Sequence, residues 1–394
     1  MGSMKEFIGV MMLLSTCFMS MKGEELIKSS SSTLTLEGCD FPAIFNFGDS
    51  NSDTGSMAAA FYPETSPYGQ TFFKEPVGRA SDGRLIIDFI AKHLGFPYLS
   101  AYINSIGTSY RNGANFAAGS STIRRQNRTY FDGGTPFVLE IQTQQFNQFK
   151  ARTGKFFTSG NKGYKKQFPR PEEFAKAIYT LDIGQNDIAA AINNGGKEDF
   201  QVVASKIVEY FSNQVQLLHG LGARTFWIHN TGPIGCLPVS LPIHNAKPNK
   251  TQPGYLDQNG CVKYQNEMAK IFNKKLKNLV IQLRAKFHDA SLTYVDMFSA
   301  KYHLISHAKK EGFVEAYNIC CGYHKDGYHL YCGNKAIIKG KQIFAGSCKD
   351  PSKYISWDGV HYTEAANNWI AKHIINGSFS DPPIPITRSC HRTH

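Results

Sequence analysis

The sequence predicts an α/β protein in which a parallel β-sheet carries helices on both faces. Two observations lead there. Short apolar runs of strand length alternate along the chain with longer amphipathic segments of helical period. Two of these runs, Pro42 to Phe47 and Ala177 to Ile183, end in small polar residues that favour a tight turn over a longer strand.

Composition sets the bounds. The 394 residues are 42% apolar, 13% aromatic and 19% charged, enough for a substantial core and too little charge for general disorder. No linker or repeat divides the chain, so one domain with long insertions is expected over residues 41–377, followed by a tail, 378–394. Residues 1–23 read as a secretory signal peptide. Lys5 precedes an apolar run, Phe7 to Met19, that is too short to span a bilayer, and Gly23-Glu24-Glu25 follows. Of nine cysteines Cys17 lies in this leader. The other eight, in a secretory chain, predict disulfides, with roughly a hundred pairings open. The absence of any C-x-x-C pair argues against zinc. Sequons at Asn127, Asn249 and Asn376 fit a secreted glycoprotein. The net charge of +12 is scattered without a basic run or nucleic-acid motif, which makes it a solvated surface. No transmembrane segment follows the leader, and a monomer is expected.

In chain order, Pro42 to Phe47 is a buried strand ending at Gly48-Asp49-Ser50-Asn51. Asp82 to Leu94 is an amphipathic helix with Asp82 as its cap, and Tyr110 to Gly119 a short strand entering a small-residue turn. Val138 to Lys150 is helical. Ala177 to Ile183 is the next strand, closed by Gly184-Gln185-Asn186-Asp187. A long helix, Phe200 to Leu221, stops at glycines. The strand Ala223 to His229 leads to a Pro/Gly loop, then the helix Gly260 to Phe287 and the strand Ser291 to Met297. Residues 302–356, rich in Cys, Gly and Tyr, read as a disulfide-braced insertion, and Thr363 to Ile375 as the last helix.

Ser50 stands at the carboxyl end of a strand, where open α/β sheets gather their ligands. From that stretch alone it is either a nucleophile or the cap of the next helix. Asp358 and His361, three residues apart, supply what a serine nucleophile needs: a base, and an acceptor to hold that base. A developing oxyanion also needs donors, which the turns at Ala118-Gly119-Ser120 and Gly184-Gln185-Asn186 offer, although both are also ordinary turn sequences. His229 reads as a structural strand-end histidine, Cys320 and Cys321 as disulfide partners, and Asp182 and Asp187 as non-catalytic.

With these residues in place, the sequence resembles the plant GDSL-type esterase/lipases of the SGNH hydrolase superfamily. Four blocks fall in family order: Phe47 to Gly55, Gly113 to Gly119, Gly184 to Asp187, and Asp358 to His361. Thr231 to Pro238 also looks like the loop these proteins carry after the fourth strand. The resemblance implies a three-layer α/β/α, flavodoxin-like domain with about five parallel strands. It implies a serine carboxylic-ester hydrolase with Ser50 as nucleophile, His361 as base and Asp358 as its partner. Its oxyanion donors would be the Ser50 amide, the Gly119 amide and the Asn186 side chain. No metal or organic cofactor is implied. The substrate would be an ester of a small metabolite, a lipid or an acylated carbohydrate, bound between loops 61–80, 120–137, 231–258 and 302–356. An acyltransferase using the same acyl-enzyme, or a non-catalytic wall-binding protein, are the alternatives. Two departures stand out: Asn51 replaces the motif leucine, and Ala-Ala-Gly-Ser-Ser replaces the commoner Ala-Ser-Gly-Gly, which loosens the choice of Gly119.

Overall fold

The computed structural model describes residues 38–392, apart from 105, 127–133, 160–164, 195–198, 242, 244–252 and 326–327. The leader, Asn127 and Asn249 therefore lie outside the described residues. Asn376 lies within them and is exposed.

Five parallel strands form the sheet: β1 (Ile44–Gly48), β2 (Gly113–Asn115), β3 (Ile178–Asp182), β4 (Thr225–His229) and β5 (Ser291–Val295). Their spatial order is β2-β1-β3-β4-β5, the flavodoxin-like order expected. A sixth strand, Ser380–Asp381, pairs antiparallel with β5 at the far edge. It comes from the stretch the sequence set apart as a tail. Cys390 of that stretch is bonded to Cys39, and Ile386 is fully buried.

Among the described residues eight α-helices accompany the sheet: α1 (Ser56–Ala60), α2 (Ile86–His93), α3 (Leu139–Thr158), α4 (Gln185–Asn193), α5 (Phe200–Gly220), α6 (Lys263–Lys286), α7 (Met297–Ser306) and α8 (Glu364–Ile375). Strand alternation sorts the core into two layers. Phe45, Phe47, Tyr179, Leu181, Phe226 and Ile228 point to the side of α3, α5 and α6, where Phe45 packs on Phe146, Phe149, Phe174 and Tyr179. Ile44, Ile178, Trp227 and Val295 point to the side of α2, α7 and α8. The three-layer expectation holds.

Some boundaries differ from the sequence reading. The helix expected from Asp82 begins at Ile86, and its first turn is closed by Asp88, whose carboxylate accepts the Leu85 amide at 2.9 Å. Asp82 instead accepts the amide of Glu364 at 2.7 Å, tying its loop to the start of α8. Three short helices, α1, α4 and α7, were not foreseen.

All eight cysteines expected to pair do so: Cys39–Cys390, Cys236–Cys261, Cys320–Cys348 and Cys321–Cys332. The last two lie inside the 302–356 insertion. There the strands are short, two hairpins (Tyr323–Lys325 with Tyr328–Leu330, and Lys335–Ile338 with Lys341–Phe344) and the pair Glu315–Ile319 with Tyr354–Ser356. A small cluster of the four cysteines and Trp357 is their core. Among the described residues no helix is long and apolar enough to cross a membrane.

Because so little apolar surface holds the insertion, reduction should loosen it before the sheet. Hydrogen exchange after mild reduction should show faster exchange at 315–348, with β1, β3 and β4 still protected. Equal loss of protection in both would count against the bracing.

Candidate active site

The site starts from the end of β1. Gly48 leaves no room for a side chain, since a Cβ there would meet Ser52 Oγ and the Asp182 carbonyl. The chain then turns sharply, with the amides of Ser52 and Asp53 donating to the Asp49 carbonyl at 3.1 and 2.9 Å. Asn51, the departure from the motif, donates through its amide and its Nδ2 to Asp49 Oδ1. Its side chain therefore holds the turn. The Ser50 amide has no hydrogen-bond partner among the described residues.

From the opposite end of the chain, the loop before α8 brings Asp358 and His361 to Ser50. His361 Nδ1 lies 2.7 Å from Asp358 Oδ2, and His361 Nε2 lies 2.8 Å from Ser50 Oγ. The carboxylate fixes the tautomer: Nδ1–H donates to Asp358, so Nε2 is left to accept the Ser50 hydroxyl. Asp358 Oδ1 accepts the amides of Val360 and His361 at 3.0 and 2.8 Å. Burial opposes the ionised Asp358, but the charge and hydrogen bond of His361 outweigh it and hold the carboxyl down to about 2. Burial likewise opposes a charged His361. Asp358 overrides it, with help from Asp49 and Glu64, and the pKa sits above the ordinary histidine value.

The two turns expected to supply oxyanion donors follow β2 and β3, the two neighbours of β1 in the sheet. Asn186 is the second residue of α4, and its Nδ2 donates one hydrogen to the Ser121 carbonyl at 2.9 Å, leaving the other. The Gly119 amide requires a correction. It donates to Asp53 Oδ2 at 2.8 Å and is occupied. The next amide, that of Ser120, has no partner among the described residues, and Ser120 sits at φ 60°, a left-handed backbone that a non-glycine residue adopts only under constraint.

Several residues that sequence reasoning passed over hold the site. Tyr68, in the 61–80 loop, donates its hydroxyl to Asp358 Oδ2 at 3.1 Å and packs edge-on to Trp357. Gln142 of α3 exchanges two hydrogen bonds with the backbone of Gly48, at 2.9 and 2.8 Å. Asp53 accepts four amides, those of Gly55, Ser56, Met57 and Gly119. Asn115 Nδ2 donates to the Ser52 carbonyl and to Thr54 Oγ1. Asp187 is structural, accepting the amides of Ile123 and Arg124, and burial raises it to about 7. His229 is buried 3.4 Å from Asp182 Oδ2, in keeping with a structural role. The Glu64 carboxyl is pushed to about 7, first by burial and then by Asp53. The 231–258 and 302–356 segments also reach the site, since Val239 and Ile319 pack against Gly359.

Comparison with known proteins follows the same blocks. The profile of the GDSL-like Lipase/Acylhydrolase family matches residues 44–374. A GDSL esterase/lipase of Arabidopsis thaliana is 53% identical over 356 residues, 90% of each chain. The GDSL esterase/lipase ACHE of Zea mays is 45% identical over 360 residues, again 90% of each. An esterase of Hevea brasiliensis is 46% identical over 363 residues, 91% of each.

A base must be neutral to take the serine proton, and here the proton-bound form is favoured by Asp358. Activity should therefore be lost at low pH and rise through one ionisation whose midpoint lies above about 6.5. Glu64→Gln removes a negative charge that favours the imidazolium, so its midpoint should fall. A profile that stays level across about pH 5 to 9 would count against His361 as the base.

Tyr68→Phe removes a donor that stabilises the Asp358 carboxylate. The carboxylate should then hold the imidazolium more firmly, raising the midpoint, while kcat drops about tenfold, the equivalent of ~1.4 kcal/mol. A lower kcat with an unmoved profile would make Tyr68 a packing residue only.

Proposed function

Because the chain belongs to the GDSL-like lipase/acylhydrolase family, serine esterase/lipases that act on ester bonds, we propose that it cleaves carboxylic esters through an acyl-Ser50 intermediate. The observation that carries this reading is the unbroken hydrogen-bonded line from Asp358 through His361 to Ser50.

In this reading Ser50 Oγ attacks the ester carbonyl while its proton passes to His361 Nε2. Asp358 stabilises the imidazolium without taking a proton itself. The tetrahedral oxyanion is met by the Ser50 amide, the Ser120 amide in the place expected of Gly119, and the remaining hydrogen of Asn186 Nδ2. The C–O bond to the alcohol breaks as His361 returns the proton to the departing oxygen. Water, deprotonated by His361, then attacks the acyl-serine, and Ser50 leaves with the proton restored. Every one of these groups belongs to the chain itself.

Water is the acceptor in this scheme, because an acyltransferase must bind and orient a second alcohol to compete with a solvent at ~55 M, and no second acceptor motif occurs in the sequence. A purely wall-binding role sits poorly with a complete set of Ser50, His361 and Asn186. The substrate is an acylated plant metabolite, a lipid or an acetylated carbohydrate, and the names of the relatives, esterases and lipases, support that class. The four disulfides and the apolar leader support a secreted, extracellular protein.

Ser50→Ala and His361→Ala should each lower turnover of an activated ester by at least about 10³-fold with folding intact by circular dichroism. Asn186→Ala should lower kcat by roughly 10²–10³ with a smaller change in KM. Retention of more than a few per cent of activity by a folded Ser50→Ala or His361→Ala protein would defeat the reading.

A further inference from the structure

Lysine is among the residues least often buried, because its ammonium gives up its hydration and needs anions in return. Lys301, on the inner face of α7, is only 2% exposed. Its stem runs past Gly232 in the loop after β4, where a Cβ would meet Lys301 Cδ at 2.8 Å. Its Nζ stands 4.7 Å from the centre of the Tyr362 ring, one residue beyond His361. The line from Asp358 through His361 to Ser50 makes no use of it.

The anions that answer this charge come from the carboxyl ends of two neighbouring strands. Asp182 ends β3, and Asp49 follows β1 directly, its amide donating to the Asp182 carbonyl at 3.2 Å. Both side chains are buried and both act on Lys301. They are unequally provided for. Asp182 has a second partner in His229, whose Nδ1 lies 3.4 Å from Asp182 Oδ2. Asp49 has the neutral Asn51, which donates twice to its Oδ1. A proton entering this cluster therefore goes to Asp49. Burial first, then Asp182, raise the Asp49 carboxyl to about 7, with Lys301 and Asn51 pulling the other way. His229 holds Asp182 below its ordinary value against burial.

We propose that Lys301 is a positioning residue of the esterase, keeping Asp49 ionised beneath the turn so that His361 is a stronger base. The proposal rests on the acyl-Ser50 reading and adds to it a charge supplied from α7.

The direction of the effect follows from the signs of the charges. Against burial, Asp358 first and then Asp49 and Glu64 favour the proton-bound His361. That is the form His361 takes as Ser50 gives up its proton, so an ionised Asp49 eases this step. An ammonium acting on His361 directly does the reverse, since like charges disfavour protonation. Lys301 strengthens the base only by way of Asp49. The titratable groups facing the cluster are Asp182 on β3, His229 on β4 and Tyr362, with Asp358 and Glu64 around His361 itself.

The test is the pH profile of kcat/KM for p-nitrophenyl acetate on the purified full-length protein, with Ser50→Ala as control. Lys301→Met keeps the length of the stem and removes its charge. Asp49 should then hold a proton across neutral pH, and the midpoint should fall by roughly half a pH unit. The value of kcat should fall severalfold with it. Asp49→Asn, which keeps an acceptor for Asn51, should move the midpoint the same way, and adding Lys301→Met to it should lower it no further. An unmoved midpoint in folded Lys301→Met makes the lysine structural only and overturns the proposal. A raised midpoint overturns it too, being the mark of a direct field on His361. If Lys301→Met does not fold, Asp49→Asn and the double variant carry the same readout. Midpoints below wild type in both support the proposal, and a wild-type midpoint in either overturns it. Turnover that survives Ser50→Ala removes the esterase reading and the proposal together, whereas Ser50-dependent turnover with unmoved midpoints removes the proposal alone.

Discussion

The constraint from which the rest follows is that the turn carrying Ser50 is buried. Asp49, Ser52 and Asp53 are each less than a twentieth exposed, and β1 behind them is covered on both faces. A backbone polar group shut away from water costs about 1–3 kcal/mol if it finds no partner. The turn therefore has to be satisfied from far along the chain, by residues inside and outside the recognisable blocks. Gln142 closes both backbone groups of Gly48. Asn46, on the α2/α7/α8 side of β1, donates to Asn115 Oδ1 at 2.7 Å and accepts the Thr180 hydroxyl at 2.7 Å. Asn115 in turn holds the Ser52 carbonyl. The first two sequence blocks are thus tied together by hydrogen bonds, and among the described residues the Ser50 amide is left unpaired.

The same burial sorts the acidic groups. Asp49, Glu64 and Asp187 are each raised to about 7, chiefly because burial disfavours their charge. Asp358, just as enclosed, is held at about 2. The difference is His361: its charge first, then its imidazole hydrogen bond, with the amides of His361 and Val360 adding to it. Asp182, held down against burial by the hydrogen bond and charge of His229, is the other carboxylate kept anionic near the turn, and Asp358 is the one bonded to His361. Beneath the turn a buried lysine, Lys301, faces Asp182 and Asp49, and its ammonium stands over the Tyr362 ring at 4.7 Å. Its positive charge tempers the repulsion between those two carboxylates.

Much of this was legible from the residues alone. Four of the five parallel strands announced themselves as apolar runs, β2 only as a short strand entering a small-residue turn, and Asp358 and His361 stood out because an Asp and a His three apart is a local pattern. Features built from distance were not legible. Tyr68 is 290 residues from Asp358 and sits in a loop of no period, so nothing nearby marks it as a partner. Gln142 looks like any polar residue of a polar helix. That Asp53 claims the Gly119 amide and that Ser120 takes a left-handed backbone are not written in residue type. Asp82 was misread because a carboxylate ahead of an apolar run is a good cap signal, and here α8 competes for it and wins. The helix α1 is too short to show a period, and α7 blurs its period by burying even a lysine. A two-residue strand, Ser380–Asp381, is below any pattern.

The bond between Cys39 and Cys390 spans 351 positions and so joins nearly the whole domain into a covalent ring. One mechanical consequence concerns tension. A pull applied between the two ends of the domain is carried across a single sulfur–sulfur link and never reaches the sheet, so β1, with Ser50 at its tip, is shielded from stretching. A second concerns cleavage. One cut in any surface loop inside the ring opens it into a linear molecule without releasing a fragment. In an extracellular setting, where proteases abound and reductant is scarce, a nicked copy would keep all of its catalytic groups on one piece.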